Sequence, residues 1–217
     1  MTFDIGKAIS YPFQDDEWIP SFAITIVLGI IPIIGWFFIA GYMLRIVKAV
    51  IKGDEKLPKY DDWGGDFTRG LMGTIGGIIY YAPILLVVCC TSVAFDDSTI
   101  IQCCAVVFYF GYGLVSMPLI SSALARYAVS EDFNAFLDIG GRFKDLTDHL
   151  SDAIILWLIY VGFSIVLPIV ATIGFIFCII PGLIVIAAGY FMQAHIVGQW
   201  GKIIGAGGAM TAPDFTA

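Results

Sequence analysis

Charge and histidine are what this chain has least of. Only 13% of its 217 residues are Asp, Glu, Lys or Arg, and two are His, against 59% hydrophobic side chains and a mean hydropathy of +0.90. A soluble domain carries roughly 25% charged residues, so a water-exposed globule is excluded and burial here means burial in lipid. Two histidines leave no convincing Ser or Cys triad. A glycine-rich phosphate loop with its lysine, HExxH and GxSxG are also missing. These absences argue against an enzyme. Bases are outnumbered too: 11 Lys and Arg against 18 Asp and Glu give a net charge of -7, which speaks against nucleic acid and against an anionic lipid patch on the exposed faces.

The N-terminus, "MTFDIGKAISYPFQDDEW", has no short apolar core ending in a small-residue cleavage site, so it does not read as a signal peptide. Phe3, Ile5, Ile9 and Phe13 alternate with polar residues and suit a segment lying on the membrane surface, residues 1–17.

What the chain has in place of charge is long apolar runs. Windows 18–44, 70–95, 98–125 and 153–201 contain no Asp, Glu, Lys or Arg. Each exceeds the roughly 18 apolar residues of a spanning helix, and the last has room for two. The expected fold is an all-α polytopic transmembrane bundle, residues 18–202, followed by a flexible tail, 203–217. Lys and Arg in short loops are retained on the cytoplasmic side. That rule assigns the connections 53–69 and 127–152 to the cytoplasm, "AFDDSTI" to the outside, and both termini to the cytoplasm.

Pro32, Pro118 and Pro181 each precede a tyrosine by nine or ten positions, in "PIIGWFFIAGY", "PLISSALARY" and "PGLIVIAAGY". The recurrence suggests an internal repeat of helix, Pro-marked break, helix and amphipathic connection, two copies continuing into "GGDF" and "GGRF". Proline in a first helical turn loses no hydrogen bond, so Pro32 and Pro181 mark the start of returning helices, whereas Pro118 would kink its helix. The stretch 18–52 reads as a tight hairpin whose first leg reaches only about 21 Å deep; a single kinked helix over 19–45 is the alternative. Six segments result, near 18–31, 33–52, 70–94, 99–126, 153–176 and 180–201.

"YPFQDDEWIP", the run "IIPIIGWFFIAGYMLRIVKAVIKGDEKLPKYDDWGGDF" and the later "IIPG" with "GY" resemble an uncharacterised family of prokaryotic integral membrane proteins, domain-of-unknown-function family 4013. The likeness is strongest over 10–75 and rests on Gly41, Tyr42, Arg45, Leu57, Pro58, Asp61, Asp62 and Trp63. It implies a membrane protein and carries no activity or cofactor to this chain.

Among polar residues, His195 lies with Gln193 and Gln199 in "GYFMQAHIVGQW", three to nine residues past the repeated Tyr190. A His in lipid needs a partner. Bonding across a helix pair is the simplest role; ligation of a porphyrin-type metal or a proton relay are the functional alternatives, and the cofactor is unknown. Arg45 and Arg126 end their helices within reach of the interface. They serve as anchors, or pair with Asp61, Asp62 and Asp66, or with Glu131 and Asp132. The acids of "DEKLPKYDDWGGD" do not match a calcium loop and read as a capped helix start. "GTIGG" at 73–77 signals close helix packing weakly. Cys89, Cys90, Cys103 and Cys104 flank the external connection; a disulfide is conceivable, apolar filling the simpler reading.

The expected function is that of a non-enzymatic subunit, scaffold or assembly partner, with the lipid bilayer and other membrane proteins as partners. A small-solute transporter or channel is the second class, suggested by Pro-broken helices. A lipid-acting enzyme using Asp61, Asp62 and Asp66 ranks third. A carrier predicts that Gln102, Gln193, His195 and Gln199 converge on one cavity; a scaffold predicts that they are dispersed.

Overall fold

The computed structural model describes residues 3–14, 18–54, 56–94 and 99–210, and regular structure among them is entirely helical. In chain order the helices are α1 (Ile5–Ser10), α2 (Trp18–Ile30), α3 (Ile34–Lys52), α4 (Trp63–Ala94), α5 (Thr99–Ser130), α6 (Asn134–Leu137), α7 (Ile139–Asp148), α8 (Leu150–Phe177) and α9 (Ile179–Ile203). The connection 95–98, assigned to the outside above, and residues 211–217 of the tail lie outside the described residues. Among the described residues five helices, α3, α4, α5, α8 and α9, are long and apolar enough to cross a membrane. The protein is a multi-pass helical bundle.

The first apolar run is a hairpin. The Ile34 N–H donates to the Pro32 carbonyl at 2.7 Å, closing a three-residue turn around Ile33, whose φ of 65° and ψ of -63° are strained for a β-branched residue. Gly35 then passes so close to the Leu28 carbonyl that a Cβ would overlap it. With 13 residues α2 is about 20 Å long, short of roughly 30 Å of hydrocarbon. The turn residues Ile30 and Ile33 are 70% and 74% exposed, an apolar tip with no protein cover. Pro181 sits in the first turn of α9, and Pro118 lies inside α5, which continues through it.

The core is formed by α3 and α9. Over their apolar windows 56% and 50% of residues are buried, against 17% for α4 and for α8. Gly198 of α9 sits on Val47 and Val50 of α3, and the fully buried Trp200 donates its indole N–H to Ser122 of α5 at 2.8 Å. The first turn of α4 crosses α3 at backbone contact. A Cβ on Gly41 would overlap the Asp66 carbonyl, and one on Gly70 would overlap that of Phe37. The glycine pair predicted to pack helices closely, Gly73 and Gly77, does less: Gly73 meets a Leu44 methyl and Gly77 faces open space.

All eleven Lys and Arg gather at one end, with α1, the connection 53–62, α6, α7 and the turn Ala206–Met210. Helix α4 starts at Trp63, seven residues before the uncharged window, because Asp62 accepts the Gly65 N–H at 3.0 Å as its cap. The docked chain also runs beyond the 203 boundary drawn for a flexible tail. Ile204 and Ala206 are buried and the Ile204 carbonyl accepts from Arg126 at 3.4 Å, so the chain packs on the bundle as far as Ala206. On α1, Ala8 is buried while Ile5, Ile9 and the following Phe13 form an exposed apolar row.

The close crossing gives the first prediction. Gly41→Ala or Gly70→Ala lowers stability in detergent by about 1–3 kcal/mol, the cost of overpacking. Gly77→Ala, entering open space in a helix, leaves it unchanged or raises it; thermal unfolding of the three variants checks the order.

Candidate functional site

A carboxylate placed against apolar helices is costly unless it is paired. Asp66 is 1% exposed because the Gly41 crossing brings α3 onto its backbone. Two guanidinium groups meet it: Arg45 Nη1 at 3.1 Å and Arg69 Nη2 at 3.0 Å. Arg45 Nη2 also donates to Asp61 at 2.6 Å, and Arg69 to Asp62. On the far side Arg69 approaches Glu131 at 3.8 Å, and Glu131 accepts from Lys48 at 2.7 Å. Charges thus alternate in one continuous cluster from the connection 53–62, through α3 and α4, to the end of α5.

Tyrosines tie the same connection to the helices. The fully buried Tyr42 donates to the Pro58 carbonyl at 2.7 Å and stacks on Tyr60 with ring centroids 3.8 Å apart. The Tyr60 hydroxyl meets Thr25 of α2 at 2.8 Å, and Tyr11 donates to the Lys56 carbonyl at 2.9 Å. Trp63 packs against Phe38 and Tyr60.

A second cluster repeats the first with its charges exchanged. "DWGGDFTR" at 62–69 and "DIGGRFKD" at 138–145 align residue for residue. Asp138 caps the Gly141 N–H at 2.9 Å as Asp62 caps Gly65. Where Asp66 pairs with Arg69, Arg142 lies 3.5 Å from Asp145. Arg126 closes this cluster with two bonds to Asp145, at 3.0 and 2.6 Å. Arg45 therefore pairs within the acids anticipated for it, whereas Arg126 takes Asp145 and not Glu131 or Asp132. The reason is local: Glu131 is held by Lys48, and Asp132 accepts from the Asn134 amide N–H at 3.0 Å.

These contacts set the ionisation of the connecting loops. Bonding to Arg45 holds Asp61 below the usual carboxylate range; Arg69 and then the Gly65 N–H do so for Asp62. Lys48 does the same for Glu131, and the Gly141 N–H for Asp138. Asp61, Asp62 and Asp66 are divided between two arginines and form a clasp between elements.

His195, proposed above as a metal ligand, proton relay or helix contact, is 2% exposed on α9. Its Nδ1 lies 3.0 Å from Gln199 Nε2, and its ring meets Tyr11 with centroids 4.6 Å apart. Gln199 in turn accepts the Asp4 N–H at 2.7 Å and donates to the Asp4 carbonyl at 2.9 Å. The group joins the N-terminal segment to α9. Gln193 and Tyr190 lie elsewhere, on a cavity of ≈ 390 Å³ among α3, α4, α5, α8 and α9. The other sequence candidates lie at the hairpin turn, Pro32, and in the first turn of α9, Pro181. Cys89, Cys90, Cys103, Cys104 and Cys178 are unbonded and exposed.

Sequence reading did not single out Gly70, Arg69, Tyr60 or Asp145. The duplicated D-x-G-G-x-F stretch was the signal that could have found Arg69 and Asp145, since it aligns the two i,i+3 pairs.

The two cationic contacts of α3 should separate in stability. Arg45→Ala leaves Asp66 short of a counter-charge at a buried position and costs about 3–5 kcal/mol at pH 7, whereas Lys48→Ala breaks an exposed pair worth about 0–1 kcal/mol. Asp61, held low by Arg45, and Glu131, held low by Lys48, stabilise fully above their unfolded values, about 3.9 and 4.3, and lose that contribution as pH falls through the lower folded values, while a protonated Asp66 no longer needs the counter-charge that Arg45→Ala removes. Chemical unfolding at pH 7 and pH 3 should therefore show the gap between the variants shrinking in acid.

Comparison with curated proteins and with solved structures finds no match. A family model described as "Protein of unknown function (DUF4013)" matches residues 24–173, from within α2 to near the end of α8. That span takes in the α2–α3 hairpin, the Gly41 crossing and both charge clusters, more than half of the chain, so the protein belongs to this uncharacterised family.

Proposed function

We propose that the protein is a non-enzymatic subunit, scaffold or assembly partner of a larger membrane complex. The observation behind this reading is the dispersal of its intramembrane polar groups. His195 and Gln199 hold the N-terminal segment, Gln193 borders the central cavity, and Gln102 belongs to the other end of the bundle, near the start of α5. A carrier would bring such groups to one passage. The acids that a lipid-acting enzyme would use, Asp61, Asp62 and Asp66, are engaged by Arg45 and Arg69.

The basic end supports an orientation. All Lys and Arg collect there, and because positive loops are retained inside, our reading puts this end and both termini on the cytoplasmic side of an inner or cytoplasmic membrane. At that face the clasped connections form a firm platform. On the opposite side α4, α5 and α8 present apolar faces such as Leu86, Val107 and Ile165 to lipid or to other membrane helices.

Extraction in mild detergent and isolation through a C-terminal tag tests the reading. A stoichiometric set of membrane companions, retained at native expression level, is the expected result. A lone monodisperse protein that catalyses solute flux after reconstitution would contradict it.

A further inference from the structure

We propose that the central cavity holds the head of a neutral single-chain membrane amphiphile, one that carries a hydroxyl or carbonyl group on a hydrocarbon tail. The inference is independent of the subunit reading and rests on how the cavity is lined. Its ≈ 390 Å³ falls within the range of small-molecule sites. The space exists because small residues border it: Ala40 on α3, Gly73 and Gly77 on α4, and Ala194 on α9.

Within the lining some polar groups are already satisfied. Thr74 donates to the Gly70 carbonyl at 2.7 Å, and the Tyr160 hydroxyl bonds Ser121. The Gln193 amide and the Tyr190 hydroxyl, by contrast, have no hydrogen bond within the protein among the described residues. Polar groups at membrane depth require a partner, since hydrocarbon provides none. Gln193 offers both donors and an acceptor, and a phenol can do either. A hydroxyl or carbonyl head complements them.

The lining contains no Asp, Glu, Lys, Arg or His. A carboxylate or phosphate head would therefore be buried without a counter-charge, which selects a neutral ligand. Trp36, Ile78 and Tyr81 border the cavity and are 44%, 52% and 45% exposed. They mark the side open to the bilayer, where the tail leaves and the ligand enters.

The test uses the full chain in phosphatidylcholine nanodiscs, photolabelled with a diazirine-bearing hexadecanol and, separately, with the matching hexadecanoic acid, followed by peptide mapping. The alcohol should label residues 36–47 and 190–197 at least five-fold more than the acid, and unlabelled hexadecanol should displace it. Gly77→Leu, which fills the cavity from an open position, should abolish that labelling. Gly111→Leu, at an equally open glycine away from the cavity, should preserve it. Gln193→Leu should cut the alcohol signal several-fold and supplies the decision if Gly77→Leu does not fold. Labelling spread over the exposed faces of α4, α5 and α8, equal labelling by acid and alcohol, or full labelling of correctly folded Gly77→Leu or Gln193→Leu would each overturn the proposal.

Discussion

Asp66 cannot be buried beside two apolar helices without its counter-charges, and much of the basic end is organised by that requirement. Gly41 and Gly70 let α3 and α4 meet at backbone distance, which removes Asp66 from solvent. Arg45 and Arg69 then have to converge on it, and each brings a further acid: Asp61 from the connection, Asp62 at the start of α4. Once the connection is drawn in, Tyr42, Tyr60 and Tyr11 find their partners along it. Small residues, a buried charge and a fixed loop are thus one construction. The charged side chains contribute specificity of arrangement more than net stability, because desolvation offsets much of the attraction in such clusters.

The second connection uses the same frame with the signs exchanged. Both helices open on an Asp cap before a Gly-Gly pair, yet Asp66 with Arg69 becomes Arg142 with Asp145. Arg45 and Arg126 both end at an acid, but the acid occupies the first position of the pair in one case and the second in the other. Two similar amphipathic helix starts competing for the same two arginines would risk mispairing. Opposite polarity gives each a distinct partner geometry, the membrane-surface equivalent of charge patterns that set helix pairing elsewhere.

Much of this was legible in the sequence, and the boundary follows physics. Uncharged windows and prolines report directly on hydrocarbon and on helix starts, so the spans and the 18–52 hairpin could be read. Nearness in sequence was no guide to pairing: Arg45 takes Asp61 and Asp66 as anticipated, yet Arg126 passes over the nearer Glu131 and Asp132 for Asp145. Arg126 with Asp145 and Lys48 with Glu131 depend on how separate helices dock, which periodicity does not encode. The GxxxG at 73–77 was a weaker guide than the unmarked Gly41 and Gly70, because close approach is decided by crossing geometry. His195 suggested a ligand by its rarity. Gln199 is its neighbour on the same helix, but Tyr11 and the Asp4 backbone that complete the group come from a segment nearly two hundred residues away.

The central claim is that the Asp66 clasp holds the basic end together as a unit, so the most direct measurement is hydrogen exchange of Asp66→Asn, which removes the charge and keeps the shape. The account predicts loss of amide protection together in 53–62, in the first turns of α4 and in the N-terminal segment 3–13, with α8 unaffected. Loss confined to residues next to 66, or protection equal to that of the unaltered protein, would contradict it.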